Sequence, residues 1–287
     1  MSQHAPFPRP DQRTAFLRSC RLGQNFLVDR ALVSRLVAQA GIGRDDTVFE
    51  IGPGTGAITE VLADRAGRVV AVEKDPRLYR LLRDRLADRS NVDLHLGDFR
   101  RFPPPGRDWK VFASIPFNLT AHVVRTLVGR RPSPADAWLI VQRESAEKFT
   151  GAPRRSLFSI LHGPWLAMSI VEIVPREAFR PVPSVAAALL HIVRRPVPFV
   201  EDRHGALYRK FAMYGFSGWK PNLRTRYRNL FSHEQWKRLS ADLAFSPDAT
   251  STQLTLDQWV ALFRYALRGV PELKWRAVLG TLGGAGP

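Results

Sequence analysis

The sequence is poor in cysteine, in acidic charge and in long apolar runs. Cys20 is its only cysteine. A disulfide framework within one chain is therefore excluded, and a cysteine-ligated zinc site nearly so. No apolar run approaches the ~18–20 residues that a bilayer span needs. The opening MSQHAPFPRPDQRTAF has no apolar core of the kind a secretory signal carries. These absences predict a cytoplasmic protein with no membrane partner. The seven histidines show neither H-x-x-x-H nor H-E-x-x-H spacing, so no metal is expected. No Walker-type G-K-[ST] or G-x-S-x-G occurs, which argues against P-loop and α/β-hydrolase chemistry.

Basic charge is what the sequence has in excess. Lys and Arg total 43 against 26 Asp and Glu, a formal charge of +17. A field of this sign points to a polyanionic partner, because each phosphate contact releases condensed counterions. Arg outnumbers Lys 36 to 7. Arginine suits bidentate phosphate contacts, although a GC-rich coding preference gives the same bias. The 287 residues are 45% hydrophobic, enough for one large domain or two modest ones.

Apolar spacing predicts the elements. Residues 1–20 are Pro- and Arg-rich and read as a flexible arm. In 26–40, Leu32, Val33, Leu36 and Val37 share a helical face. Strand-like runs follow at 47–51, 68–73, 92–98, 110–115 and 137–142. Helical patterns alternate with them at 57–66, 76–87, near 121–129 and from Glu144. This alternation predicts an α/β fold, a mostly parallel doubly wound sheet. Runs at 169–174 and 186–193 have no long helix between them and predict a terminal hairpin. Beyond 195 the strand signals fade. Residues 207–216, 223–231, 233–245 and 255–267 read as amphipathic helices, with Thr255 as an N-cap. The expected domains are a catalytic one over 21–195 and a small all-helical one over 196–268. A flexible tail is expected over 269–287.

VFEIGPGTGAITEVLA runs strand, Gly52-Pro53-Gly54-Thr55-Gly56, helix. Glycines here let a ligand approach the backbone at a helix N-terminus. The spacing is not the G-x-G-x-x-G of a dinucleotide turn. Glu50 at the strand end would repel a pyrophosphate but suit a cationic ligand such as S-adenosylmethionine. Glu73 ends the second strand, placed to accept ribose hydroxyls. Asp98 follows the third, placed to accept from an adenine amino group. All three acids fall at carboxyl ends of strands, where an open α/β sheet binds ligands.

The fourth strand ends in Ser114-Ile115-Pro116-Phe117. Pro116 cannot continue a ladder, so the Ser114 hydroxyl and the Ile115 carbonyl are free to face outward as acceptors. Phe117 offers a ring to a flat partner. Such a site suits an exocyclic amine on an aromatic base, whose delocalised lone pair needs orienting. Residues 203–238 hold nine Lys or Arg and one acid, interleaved with aromatics. Lys210, Lys220, Arg224, Arg226 and Arg228 are the expected RNA contacts, with most of the aromatics in the core. If 223–231 is helical, positions 224 and 228 share a face.

Taken together, the glycine loop, Ser114–Phe117, Gly23-Gln24-Asn25-Phe26 and the Phe179-Arg-Pro-Val-Pro-Ser-Val185 segment resemble the ribosomal RNA adenine N6-methyltransferases. Within these the chain looks most like the Erm methyltransferases of macrolide–lincosamide–streptogramin B resistance, over residues 21–268. The resemblance implies transfer from S-adenosylmethionine to N6 of an adenine in the peptidyl-transferase loop of 23S rRNA, naked or partly assembled, by a monomer. It implies Gln24, Asn25, Gly52, Gly54, Gly56, Glu73 and Asp98 as cofactor contacts and Ser114–Phe117 as the catalytic motif. Phe179 is implied as an aromatic near the target base. Ser114 stands where the family most often has Asn. Alternatives are the dimethyltransferase of 16S rRNA and a non-catalytic RNA-binding protein on the same fold.

Overall fold

The structure is a computed structural model. It describes residues 25–106, 108–129, 133–217 and 222–279. In chain order the first elements are β1 (Phe26–Leu27), α1 (Arg30–Gln39), β2 (Thr47–Ile51), α2 (Ala57–Arg65), β3 (Arg68–Glu73), α3 (Pro76–Arg85), β4 (Val92–Leu96) and β5 (Lys110–Ser114). Then come α4 (Thr120–Gly129), β6 (Asp136–Gln142), α5 (Arg143–Thr150), α6 (Leu157–His162), β7 (Leu166–Val174), β8 (Phe179–Arg180) and β9 (Ala187–Arg194). The remainder is helical: α7 (Gly205–Phe216), α8 (Leu223–Arg226), α9 (His233–Asp242), α10 (Leu256–Gly269) and α11 (Glu272–Leu279).

The described residues form two compact units, one drawn from 25–146 and 169–193 and one from 147–168 and 194–279. A seven-stranded sheet has the order β4-β3-β2-β5-β6-β9-β7. The pairs β2–β3, β2–β5, β3–β4 and β5–β6 are parallel, and β6–β9 is antiparallel. The expected mostly parallel sheet is therefore present, with β7 and β9 as neighbours at its end. Apolar β2 and β3 are buried along nearly their whole length, as strands covered on both faces are. Chain order reverses at β2, which sends β3 and β4 one way and β5 and β6 the other. Such a switch point opens a crevice at the strands' carboxyl ends.

Several boundaries differ from those expected of the sequence. The Asp29 carboxylate accepts the Leu32 N–H at 3.0 Å. This cap starts the first helix at Arg30 and leaves Phe26 and Leu27 to pair with Arg180 and Phe179. Residues 147–168, expected in the catalytic domain, belong to the helical unit. Ile160 sits in that unit's core, and its carbonyl accepts the Tyr208 hydroxyl at 3.0 Å. The helix expected over 223–231 stops at Arg226. Residues 272–279, expected within a flexible tail, are helical. There the buried Trp275 meets Phe211 and Phe263 at ring separations of 5.9 and 6.3 Å. Leading Pro271, first-turn Glu272 and the Arg276–Glu272 ion pair at 3.0 Å support that helix. The arm expected over 1–20 lies outside the described residues.

Aromatics dominate the helical core. Tyr208, Phe211, Tyr227, Phe231, Trp236 and Trp259 are all buried, as expected of most of them. Capping boxes start α9 (Ser232 with Gln235) and α10 (Thr255 with Gln258). Because Trp275 is packed into this core, Trp275→Ala should lower stability by about 3 kcal/mol. Urea unfolding followed by tryptophan fluorescence measures this. An unchanged midpoint would place the last helix outside the cooperative core.

Candidate cofactor and catalytic site

The crevice at the switch point is an open cleft of about 580 Å³, the solvent in its mouth included. Its walls include Asn25, Phe26, Leu27, Gly52, Pro53, Gly54, Thr55, Ala57, Ile58, Glu73, Leu78, Ser114 and Pro116. These residues come from the C-terminal ends of three adjacent strands (β2, β3 and β5), from the starts of α2 and α3 and from the segment around β1.

The glycine loop needs its glycines for different reasons. Gly52, Gly54 and Gly56 have φ of +63°, +60° and +86°, conformations that L side chains rarely adopt. A Cβ on Gly52 would meet nothing within 4 Å, so the backbone there faces open space. A Cβ on Gly54 would come within 3.0 Å of the Phe26 ring, and one on Gly56 within 2.6 Å of Leu82. Gly52 thus leaves room for a ligand, Gly54 lets the loop close under Phe26, and Gly56 lets α2 pack against α3. Gly56 does not line the cleft.

Glu73 is buried and holds the loop in place. Its Oε2 accepts the Gly54 N–H at 3.0 Å and its Oε1 the Asp75 N–H at 2.8 Å. Burial raises its pKa from the ordinary value, and these backbone donors oppose the rise. A carboxylate has about four lone-pair sites, so Glu73 can still accept from a ligand hydroxyl.

The other two acids are placed differently from Glu73. Glu50 is fully buried and does not line the cleft, and its Oε2 has no hydrogen-bond partner among the described residues. Burial, with help from Glu73 and against the pull of Thr59, pushes its carboxyl up to about 8. Burial therefore favours its neutral form at pH 7. Asp98 caps a short 3-10 turn and stands apart from the cleft walls. The Arg100 guanidinium grips both its oxygens and holds it well below the usual carboxylate range.

At the end of β5, Ser114 lines the cleft. Neither its hydroxyl nor the Ile115 carbonyl makes a hydrogen bond among the described residues. Ile115 donates its N–H to Ile140 at 2.9 Å, and the Leu119 N–H to Pro116 O bond at 2.8 Å tightens the turn after the motif. Phe117 is half-buried against the core of this unit. Phe179 is buried in that core, held there by the pairing of β8 with β1, and lies outside the cleft walls. The cleft-lining Phe26, Leu27, Ile58 and Leu78 were not expected as site residues. Phe26, beside Asn25, and Ile58, just after the glycine loop, lie in segments that could have pointed to them.

The chain matches the ribosomal RNA adenine dimethylase family (RrnaAD) over residues 16–267. It belongs to that family. An rRNA adenine N-6-methyltransferase of Bacillus anthracis is 30% identical over 256 residues, 88% of each chain. A ribosomal RNA small subunit methyltransferase A of Synechococcus sp. (strain JA-2-3B'a(2-13)) is 33% identical over 265 residues, 88% of this chain and 94% of that protein. The 23S rRNA methyltransferase ErmE superposes with a TM-score of 0.79 at 29% identity, over 85% of this chain and 100% of that one. The chain is an rRNA adenine methyltransferase whose cofactor is S-adenosylmethionine.

The cleft fits that cofactor. Gly52 offers an open cradle, Glu73 offers acceptors, Asn25 and Ser114 offer polar contacts, and Phe26, Leu27, Ile58 and Leu78 offer apolar walls. Gln24 lies outside the described residues.

The residues expected to bind RNA lie in the helical unit and diverge. Arg226 is spent internally: its Nε donates to the Tyr214 carbonyl at 2.7 Å, and its guanidinium lies 4.3 Å over the Tyr214 ring. Arg224 pairs with Asp248 at 2.9 Å. Arg228 is exposed beyond the end of α8, so it does not share a helical face with Arg224. Lys210 is exposed on α7. Lys220 lies outside the described residues.

Glu50 gives stability a pH dependence. Folded Glu50 keeps a proton up to about pH 8, whereas the unfolded chain releases it near the ordinary value of 4.5. Its contribution is complete below 4.5 and is lost as pH rises through about 8. Glu50→Gln should abolish this decline, leaving the variant the more stable protein at about pH 9. Urea midpoints across that range measure it. A wild-type profile in the variant would mean that Glu50 ionises normally.

Proposed function

We propose that this enzyme methylates N6 of one adenine in the peptidyl-transferase loop of 23S rRNA, giving macrolide–lincosamide–streptogramin B resistance. It acts as a cytoplasmic monomer on naked or partly assembled large-subunit RNA. The observation that carries 23S over 16S is the match to ErmE, which this chain covers from end to end at 29% identity. The sequences of 141–161 and 254–267, which look closer to the resistance enzymes, support the same choice. The 33% identity to the Synechococcus small-subunit enzyme favours 16S rRNA as the second reading.

S-adenosylmethionine supplies an electrophilic methyl on sulfur. The protein's part is placement. The Ser114 hydroxyl and the Ile115 carbonyl accept from the two N–H groups of adenine N6, turning its lone pair toward the methyl. Phe117 stacks on a base drawn out of its helix. Once methylated, the nitrogen carries a positive charge and is acidic enough to lose its proton to water without a dedicated base. Catalysis then comes from alignment in a cleft shielded by Phe26 and Leu27. Glu73, through Gly54, sets the position of the loop that faces the ligand.

Single-turnover methyl transfer to short 23S and 16S hairpins tests this. Wild-type enzyme should methylate the 23S hairpin. Phe117→Ala should weaken base binding by about 1–3 kcal/mol. Ser114→Ala should lower the rate of transfer more than cofactor affinity, because its acceptor matters most as the nitrogen becomes pyramidal. Ser114→Asn should stay active. Turnover on the 16S hairpin alone would establish the second reading. A wild-type rate in Ser114→Ala would leave orientation of the amine to the Ile115 carbonyl.

A further inference from the structure

The helical unit has an open cavity of its own, about 340 Å³ with the solvent in its mouth included. Two arginines, Arg155 and Arg195, enter its walls beside Thr150, Ser159, Gly163 and Leu256. Both are half-buried and both are anchored. Arg155 Nη1 donates to the Thr150 carbonyl at 3.3 Å, and its backbone N–H donates to Thr252 at 3.2 Å. Arg195 Nε donates to the Gly163 carbonyl at 2.8 Å, and its guanidinium lies 4.2 Å over the Phe199 ring. Neither guanidinium pairs with a carboxylate among the described residues. The neighbouring hydroxyls already donate, Thr150 to Glu147 and Ser159 to Ser156.

Two half-buried cations that share one small cavity without a counter-charge repel each other and lack full hydration. An anion between them relieves both costs. Arginine presents a planar fork of donors, and here one donor in each fork goes to a backbone carbonyl while the rest stay available. Anchoring before the ligand arrives reduces the side-chain entropy lost on binding. These properties match a phosphate group. Arg226, by contrast, sits among internal partners, and Arg224 has an acid to neutralise it.

We propose that Arg155 and Arg195 form a phosphate-binding pocket that takes a backbone phosphate of the RNA substrate. The proposal rests on the chain acting on RNA, not on the choice of 23S over 16S. The nearby carbonyls of Thr150 and Gly163 fix the two guanidinium forks, so the pocket positions RNA without reading sequence.

The test uses the full chain with two probes. Inorganic phosphate is titrated at constant ionic strength while the arginine Nε–Hε NMR signals are followed. Binding of short 23S and 16S hairpins is measured against salt for wild type and for the Arg155→Gln/Arg195→Gln double variant. Phosphate and RNA should each shift the Arg155 and Arg195 signals. The double variant should bind both hairpins roughly tenfold more weakly at ~100 mM salt. Its slope of log K against log salt should shrink by about 0.7–0.9 for each phosphate it no longer neutralises. S-adenosylmethionine affinity should be unchanged. Equal weakening on both hairpins supports the pocket even where turnover on 23S fails. A wild-type response to inorganic phosphate with unaltered RNA affinity and slope in the double variant would overturn the RNA assignment. Silence of both arginine signals toward phosphate and RNA would overturn the pocket itself, whether or not the double variant folds.

Discussion

The catalytic unit turns on one buried carboxylate. Glu73 ends β3, accepts the Gly54 N–H of the loop that follows β2, and accepts the Asp75 N–H at the start of α3. Two adjacent strand ends and a helix N-terminus are tied through one side chain. The loop it holds has three left-handed glycines, so without the tie its backbone would have many other conformations open to it. Asp75 in turn caps α3 by accepting the Arg77 N–H at 2.8 Å. The acid that shapes the loop therefore also lines the cleft. On the proposed reading, structure and ligand binding share the same atoms.

A second constraint is the division of polar groups between spent and unspent. At the end of β5, Pro116 stops the ladder, and the turn that follows satisfies Pro116 rather than Ile115. Ser114 and Ile115 thus keep unspent acceptors beside a cleft, the condition that orientation of an amine requires. In the helical unit, Arg226 donates to both Tyr214 and Ser217 and lies over the Tyr214 ring, whereas Arg155 and Arg195 each give one side-chain donor to a carbonyl. Basic charge alone does not separate these cases. A +17 chain has many arginines, and only their partners show which are tied up.

Much of the fold is legible in the sequence because its signals are local. Strands β2 and β3 follow unbroken apolar runs bounded by turns, and α10 follows an apolar stripe behind a Thr255 cap. What is hidden there depends on distant partners. The pairing of β1 with β8 joins segments roughly 150 residues apart, and nothing local in Phe26–Leu27 announces it. Ile160 joins the helical core through Tyr208, so the boundary of the units cannot be read from composition. Around the cleft, Gly52, Gly54, Glu73 and Ser114 are legible because their spacing follows the strand ends. Glu50, Asp98 and Phe179 lie in the expected sequence positions, but burial, Arg100 and the β1–β8 pairing give them other surroundings.

The tie made by Glu73 can be observed directly. Amide hydrogen exchange at Gly54 should be slow in the free protein and slower still with S-adenosylmethionine bound. In Glu73→Gln, which turns one acceptor oxygen into a donor, Gly54 should exchange quickly and cofactor affinity should fall about 10- to 150-fold. Unchanged protection and unchanged affinity in a folded Glu73→Gln protein would contradict both roles of this carboxylate, as the clasp of the glycine loop and as a wall of the cofactor cleft.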